Sequence, residues 1–362
     1  MISAVGCKKD EVLPPDPTPP PVRTQAKADV LTELGKNVII PAAIDFDNAS
    51  NVLVTAVNTL TTTPTQDNLD AARLAWRKAR RPWELFEAFL FGPAKNQQLD
   101  PAIDSWPLDL NTVNAVLESG NAITVDRLNQ EEGTARGFHA IEYFLFGLDG
   151  KKTVEKFTPR EFEYLTAATQ AFRTATSRLR SAWEAKNDND SASYQWQLAH
   201  AQLTGSLYTT QDAALKEVLN SIGALSNELE SSKMGIPYHS PDNSFEEARF
   251  SNNSKDDFKA NLEGIQSIYL GSYQGDIAKY SGKGISDLVI AKDGGVALDA
   301  QIKAEFQEGF DRIALIQPTF ADAINGTNNG TKGTVAGAIT AVQKVEATLT
   351  GALPTLLFKK TN

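Results

Sequence analysis

Two ten-residue stretches carry the side chains best placed for chemistry. Trp83 to Gly92 reads WELFEAFLFG and Phe138 to Gly147 reads FHAIEYFLFG, with five of ten positions identical. Glu84 aligns with His139, and Glu87 aligns with Glu142. Residues i and i+3 of a helix share a face about one turn apart, so each pair can aim at one spot. Their neighbours are Phe, Leu, Ile, Trp and Tyr, and a charge on such a face is costly unless it is paired or bound to a cation. Facing helices that offer ExxE and HxxE supply three carboxylates and an imidazole, a donor set suited to iron, zinc or manganese. A buried hydrogen-bonded network, or ion pairs to Arg80, Arg81 and Arg136, would satisfy the same groups without a metal.

The elements that must position these residues are helices. Phe162, Leu165, Ala168, Phe172, Ala175, Leu179 and Trp183 step by threes and fours along one face. Thr158-Pro159-Arg160-Glu161 reads as a capping box with proline at the first helical position. Leu298, Ile302, Phe306, Phe310, Ile313 and Ile316 repeat the pattern later, and Ser254 followed by Asp257 opens another helix. Alternating strand-like runs are nearly absent, so the fold class is all-α, built as helical bundles. A length of 362 residues implies two domains. The polar, glycine-bearing stretch Gly147 to Phe157 marks the expected boundary, with one bundle over residues 24–152 and a second over 153–362. Gly235 to Asn253 reads as a long loop with a short helix, and the stretch from Asn325 as a surface turn.

Composition narrows the partners. The 35 Lys and Arg against 45 Asp and Glu leave a net charge of −10, with no basic block to track a nucleic acid. The one cysteine, Cys7, excludes an internal disulfide and a cysteine-based metal site. It follows Ala4-Val5-Gly6, a run like the lipobox of bacterial lipoproteins, although Ala4 stands where leucine is usual. Six of the eight residues from Pro14 to Pro21 are proline, which favours an extended spacer. Residues 1–23 thus read as the remnant of a signal peptide, a cysteine that would carry a lipid, and a tether. That arrangement places the body in the bacterial cell envelope, facing the periplasm or the cell surface.

GFHAIEYFLFG, from Gly137 to Gly147, contains GxHxxE and resembles the motif of the imelysin family, which includes the iron-regulated protein A-like proteins. RRPWELFEAFLFGP resembles that family's first motif helix, and IDSWPLD, from Ile103 to Asp109, its segment between the two. EARFS, from Glu247 to Ser251, resembles a family stretch written roughly E-S-x-x-S, with Ala248 departing from it. IYLGSYQG from Ile268 and GISDLV from Gly284 resemble its C-terminal half. The resemblance implies two all-helical domains, each related to a four-helix bundle, an envelope location and a role in iron uptake with envelope transport proteins as partners. It implies a site near the domain interface, at His139 and Glu142, with Glu84 and Glu87, then Asp104 and Trp106, then Glu247 and Ser251. The expected cargo is iron or an iron-containing ligand.

The same family is also classed among metallopeptidases, which would make His139 and Glu142 catalytic. The residues favour binding over catalysis. Zinc peptidases usually hold the metal with two histidines and an acid, with a glutamate base beside it. HExxH is absent, and an inverted HxxEH would need histidine where Tyr143 stands. His239, in the irregular region, and His200, within a helix, could contribute only by folding back from distant segments. One imidazole with several carboxylates is oxygen-rich and suits iron better than catalytic zinc. Tyr269, Tyr273 and Tyr280 read as core before they read as a ligand cleft. The GKGIS stretch at Gly282 lacks the spacing of a phosphate loop.

Overall fold

Threonine side chains set where the long helices begin. Thr65, Thr158 and Thr210 each accept a hydrogen bond from the backbone N–H three residues on, starting the helices Gln66–Phe86, Pro159–Trp183 and Gln211–Asn227. At Thr158 the box is complete, with Glu161 Oε2 accepting from the Thr158 N–H at 2.8 Å. The computed structural model describes residues 22–130, 134–240, 243–275, 279–326 and 329–359. Cys7 and the proline-rich tether lie outside these. No helix among the described residues is long and apolar enough to cross a membrane.

The architecture is all-α, with one small antiparallel hairpin pairing Ser272–Gln274 with Lys279–Ser281. Helices Ile40–Thr62, Gln66–Phe86, Gly137–Phe146 and Pro159–Trp183 pack as one bundle. Gln211–Asn227, Ser254–Leu270, Gly295–Ala314 and Asn329–Ala347 pack as the second. Helix packing runs across the expected boundary at residue 152. Helix Pro159–Trp183 lies against Ile40–Thr62 and Gly137–Phe146, so the stretch 147–157 is a turn inside the first bundle. A polar glycine turn looks the same in sequence whether it joins two helices of one bundle or two domains.

Three π-turns, Gly35–Ile39, Glu228–Gly235 and Thr348–Ala352, each run straight into an α-helix with proline at its second position: Pro41, Pro237 and Pro354. Proline lacks an N–H and its ring crowds the carbonyl four residues back, and a widened turn relieves that conflict without ending the rod. One consequence is that Gly235 to His239 continues the helix instead of forming the expected loop.

The bundles meet where helix Gln66–Phe86 crosses Ser254–Leu270. Gly264 permits the close approach, because a Cβ there would stand 2.4 Å from the Leu85 carbonyl oxygen. Pro82 to Phe89 are consecutively buried, so this end of the first motif helix has no solvent face. Aromatic rings fill the space behind it, with Phe46 5.2 Å from Trp83 and Phe138 4.5 Å from Phe172 between ring centroids.

Candidate metal centre between the bundles

Because the helices are buried where they cross, every charged side chain that points into the crossing must find a partner inside the protein. Arg80, Glu84, His139, Glu142, Lys233, Glu247, Asp257 and Asn261 are all less than 4% exposed, and Glu87 is 6% exposed. Arg80 is the hub. Its Nη1 donates to Asp104 Oδ1 and Oδ2 at 2.8 and 3.0 Å, and its Nη2 reaches Glu247 Oε1 at 3.1 Å and Asp257 Oδ2 at 3.3 Å. Glu84, one turn on, pairs with the same Nη2. The Arg80 guanidinium also lies 4.9 Å from the Phe138 ring centroid. Lys233 is the second cation, with Nζ 2.5 Å from Glu87 Oε2, 3.0 Å from Glu247 Oε1 and 3.1 Å from Glu84 Oε2. Asn261 Nδ2 donates to Glu84 Oε2 at 2.8 Å and Glu87 Oε2 at 2.7 Å.

The imidazole stands between two acids. His139 Nε2 is 3.0 Å from Asp104 Oδ1, a charge contact without hydrogen-bond alignment, and Nδ1 is 3.3 Å from Glu142 Oε2. Gly137 makes the first contact possible. Its φ of +74° suits glycine, and a Cβ would stand 2.3 Å from the Ile103 carbonyl oxygen, beside Asp104. The glycine of GxHxxE thus brings the helix start onto the loop that carries Asp104. Trp83 Nε1 donates to Asp104 Oδ2 at 2.5 Å and fixes that carboxylate from the other side.

Glu142 has a different task from the one its spacing suggests. Its Oε1 accepts from Phe250 N–H at 3.1 Å, Ser251 N–H at 2.8 Å and Ser251 Oγ at 2.7 Å. It ties the 247–251 turn to the motif helix and stands behind the imidazole. Arg77 holds the same turn from outside, through the Ser251 carbonyl at 2.5 Å and Asn253 Oδ1 at 2.8 Å. Ser254, expected at the start of a helix, gives its hydroxyl to Glu246 Oε1 at 2.8 Å instead of capping.

Two overlapping sets of side chains can each close on one ion. Asp104, His139 and Glu247 form the first, Glu84, Glu87, Asp104 and Glu247 the second, and within each the ligand atoms lie within 4.8 Å of one another. Asp104 and Glu247 belong to both. Glu247 Oε2 is buried without a hydrogen-bond partner, as a donor atom kept for a ligand would be, and His139 Nε2 has only its unaligned charge contact with Asp104. The donor set therefore fits a metal ion, with Glu142 orienting the imidazole from its far nitrogen.

Charge favours a cation here. Six carboxylates (Glu84, Glu87, Asp104, Glu142, Glu247, Asp257) surround Arg80, Lys233 and one imidazole. Burial pushes Glu84 and Asp257 well above the usual carboxylate range and Glu87 up to about 8. Burial acts the same way on Asp104, but Arg80 and His139 outweigh it and hold that acid below its ordinary value. Burial opposes charge on His139, and Asp104 with Glu142 overcomes it, raising the imidazole to about 9. Without a metal, protons balance the surplus acid.

Among the sequence candidates, Glu84, Glu87, Asp104, His139 and Glu247 come together, and Glu142 and Ser251 brace them. Trp106 follows two residues after Asp104, and its Nε1 is buried without a partner. Of the three proposed arginine partners, Arg80 alone joins the cluster: Arg81 bonds Glu263, and Arg136 bonds Asn129. His200 stacks on Trp196 at 4.0 Å and bonds its carbonyl, and His239 is exposed beside Tyr238. Tyr269 and Tyr273 are buried on Asp299 and Asp45, and Tyr280 is exposed. Lys233, Asp257 and Asn261 carried no local signal, because only the packing of the second bundle brings them here.

The model of the imelysin family (peptidase M75) matches residues 39–349. The chain belongs to the imelysin family. It is 30% identical over 241 residues to iron-regulated protein A of Synechococcus elongatus, a match spanning 67% of this chain and 64% of that protein's length. A crystal structure from Parabacteroides distasonis ATCC 8503 bearing the name of an iron-regulated protein A precursor superposes with a TM-score of 0.77 at 27% identity, covering 93% of this chain and 98% of that one. An imelysin-like protein from Psychrobacter arcticum 273-4 shares the fold at a TM-score of 0.68 and 16% identity, covering 94% and 99%. The chain is thus an imelysin-family protein with an all-helical fold.

Proposed function

We propose that this imelysin-family chain binds a metal ion, iron before manganese or zinc, at Asp104, His139 and Glu247, with Glu84 and Glu87 completing an oxygen-rich shell. The observation that carries the reading is the buried Glu247 Oε2, which has no hydrogen-bond partner and stands with Asp104 and His139 in a set whose ligand atoms lie within 4.8 Å of one another amid an excess of buried acid. One imidazole among carboxylates suits a hard, oxygen-preferring cation. The bound ion would supply the positive charge that protons supply in its absence. Arg80 and Lys233 hold the acids in place, and Glu142 keeps Nε2 turned inward. On this reading the protein serves iron uptake in the cell envelope, tethered by a lipid on Cys7 and handing its cargo to transport proteins there.

A metallopeptidase is the second reading, favoured by the family's peptidase label. Against it stand the single imidazole of the cluster and its burial, since a polypeptide carbonyl must reach the metal to be cleaved. The deciding experiment is metal titration of wild type and His139→Ala with Fe(II), Mn(II) and Zn(II), each excluded from oxygen. Binding by wild type at one equivalent, lost in the variant, is the expected result. Equal binding by both would place the metal elsewhere. Chelator-sensitive cleavage of an unfolded protein, abolished by Glu142→Gln, would favour the peptidase.

A further inference from the structure

Glu87 faces two ways. It belongs to the buried acid set, and it also lines a cleft of about 680 Å³ between helix Gln211–Asn227 and the turn that follows the first motif helix. Resting on the metal-binding reading above, we propose that this cleft is the outer chamber of the metal site and receives the metal as the chelate of a small organic polycarboxylate, not as a bare ion.

Size and charge both point this way. Sites for small organic molecules occupy about 300–1,000 Å³, and a bare ion needs only a small part of that. Leu90, Phe91 and Leu225 give the chamber apolar walls. Buried Glu87 shares the chamber lining with Glu217 and the exposed Glu228. Lys95 and Lys216 also line it, and both are exposed. Neither lysine forms an ion pair among the described residues, and Lys216 Nζ lies instead 4.9 Å from the Phe358 ring centroid. A wall that carries carboxylates together with ammonium groups outside any ion pair suits an occupant with a cationic metal at its centre and anionic oxygens around it. Lys233 Nζ, 2.5 Å from Glu87 Oε2, already stands where chamber and cluster meet. A second cleft, of about 520 Å³ at Asp257, differs in that none of its lining residues belongs to either ion-closing set.

The test is equilibrium dialysis of the full chain against ferric citrate, against Fe(II) without oxygen, and against citrate alone. The proteins are wild type, the double variant Lys95→Glu with Lys216→Glu, and His139→Ala. Both lysines are exposed, so charge reversal leaves the fold intact. Wild type should bind ferric citrate, and the double variant should bind it about tenfold or more weakly while keeping Fe(II) affinity within about twofold. Unchanged ferric citrate binding by the double variant would overturn the chamber and leave the ion site standing, provided His139→Ala has lost Fe(II). Equal losses of both ligands in the double variant would overturn the choice of a chelate. Fe(II) binding by His139→Ala at wild-type strength, or no binding of either iron form by wild type, would remove the underlying metal reading instead.

Discussion

Asp104 Oδ1 lies 3.0 Å from His139 Nε2, so the imidazole of the HxxE pair faces a carboxylate supplied by a loop and not by the matching helix. The same carboxylate takes two hydrogen bonds from Arg80 and one from Trp83. Asp104 is therefore the joint between the imidazole and the arginine-centred acids, and each prediction below turns on that junction or on the groups bracing it.

Arg80→Met should cost about 3–5 kcal/mol, the usual penalty for breaking a buried ion pair by removing one partner. Asp104, Glu84, Glu247 and Asp257 would each lose their guanidinium contact. Urea denaturation of the metal-free protein measures it. A loss below about 1 kcal/mol would mean that the acids are neutral without Arg80 and that the arginine is no hub.

Glu142→Gln should preserve the helix and weaken metal binding by about 10- to 100-fold, the size of effect seen when a carboxylate behind a ligating histidine is removed. The amide can still accept from Ser251 and Phe250, which hold Oε1 at 2.7–3.1 Å. What it loses is the negative charge at Nδ1. Calorimetric titration with Fe(II) or Mn(II) reads the change, and an unaltered affinity would show that the imidazole does not ligate through Nε2.

Gly137→Ala should be far more damaging than Gly120→Ala. Both positions have positive φ, +74° and +68°, so both variants incur the left-handed penalty of about 1–2 kcal/mol. A Cβ at Gly120 meets nothing within 4 Å, whereas one at Gly137 meets the Ile103 carbonyl. The difference between the two, measured by thermal or urea unfolding, isolates the contact that sets Asp104 against His139. Equal losses would mean that the loop simply yields.

Stability of the metal-free protein should fall as pH rises from about 5 to about 9. Burial raises Asp100 from 3.8 and Glu246 from 4.5, each to about 7, and Glu87 from 4.5 to about 8. Asp104, against the opposing pull of burial, raises His139 from 6.5 to about 9. Each group binds more protons folded than unfolded across that window, so its contribution is present at low pH and disappears as the pH passes the folded value. Asp104, held below 3.8, contributes with the opposite sign, but its loss comes only in strong acid. Metal binding displaces the same protons, so the thermal shift produced by metal should grow with pH over the same interval. Melting curves with and without Mn(II) at several pH values test both statements.

Local chemistry determined a large part of this protein in advance. The three-and-four spacing of apolar residues, the Thr158 capping box and the HxxE pair depend on neighbours within a turn or two, and each can be read from a short window. Gly137 belongs with them as a letter of the motif, though its reason, the approach to Ile103, became visible only in space. Tertiary structure decided the rest. Lys233 points into the acids from a π-turn whose widening follows from Pro237, and Asp257 and Asn261 arrive from a helix more than 170 positions beyond Arg80 and Glu84. Glu142 could be placed on the right face but not assigned its task, since its three donors come from a turn 108 and 109 positions away. That Pro159–Trp183 packs on Ile40–Thr62 was hidden for the same reason. Periodicity reports which face of a helix is buried, whereas the choice of partner helix and the pairing of buried charges are settled only when both bundles close on the crossing.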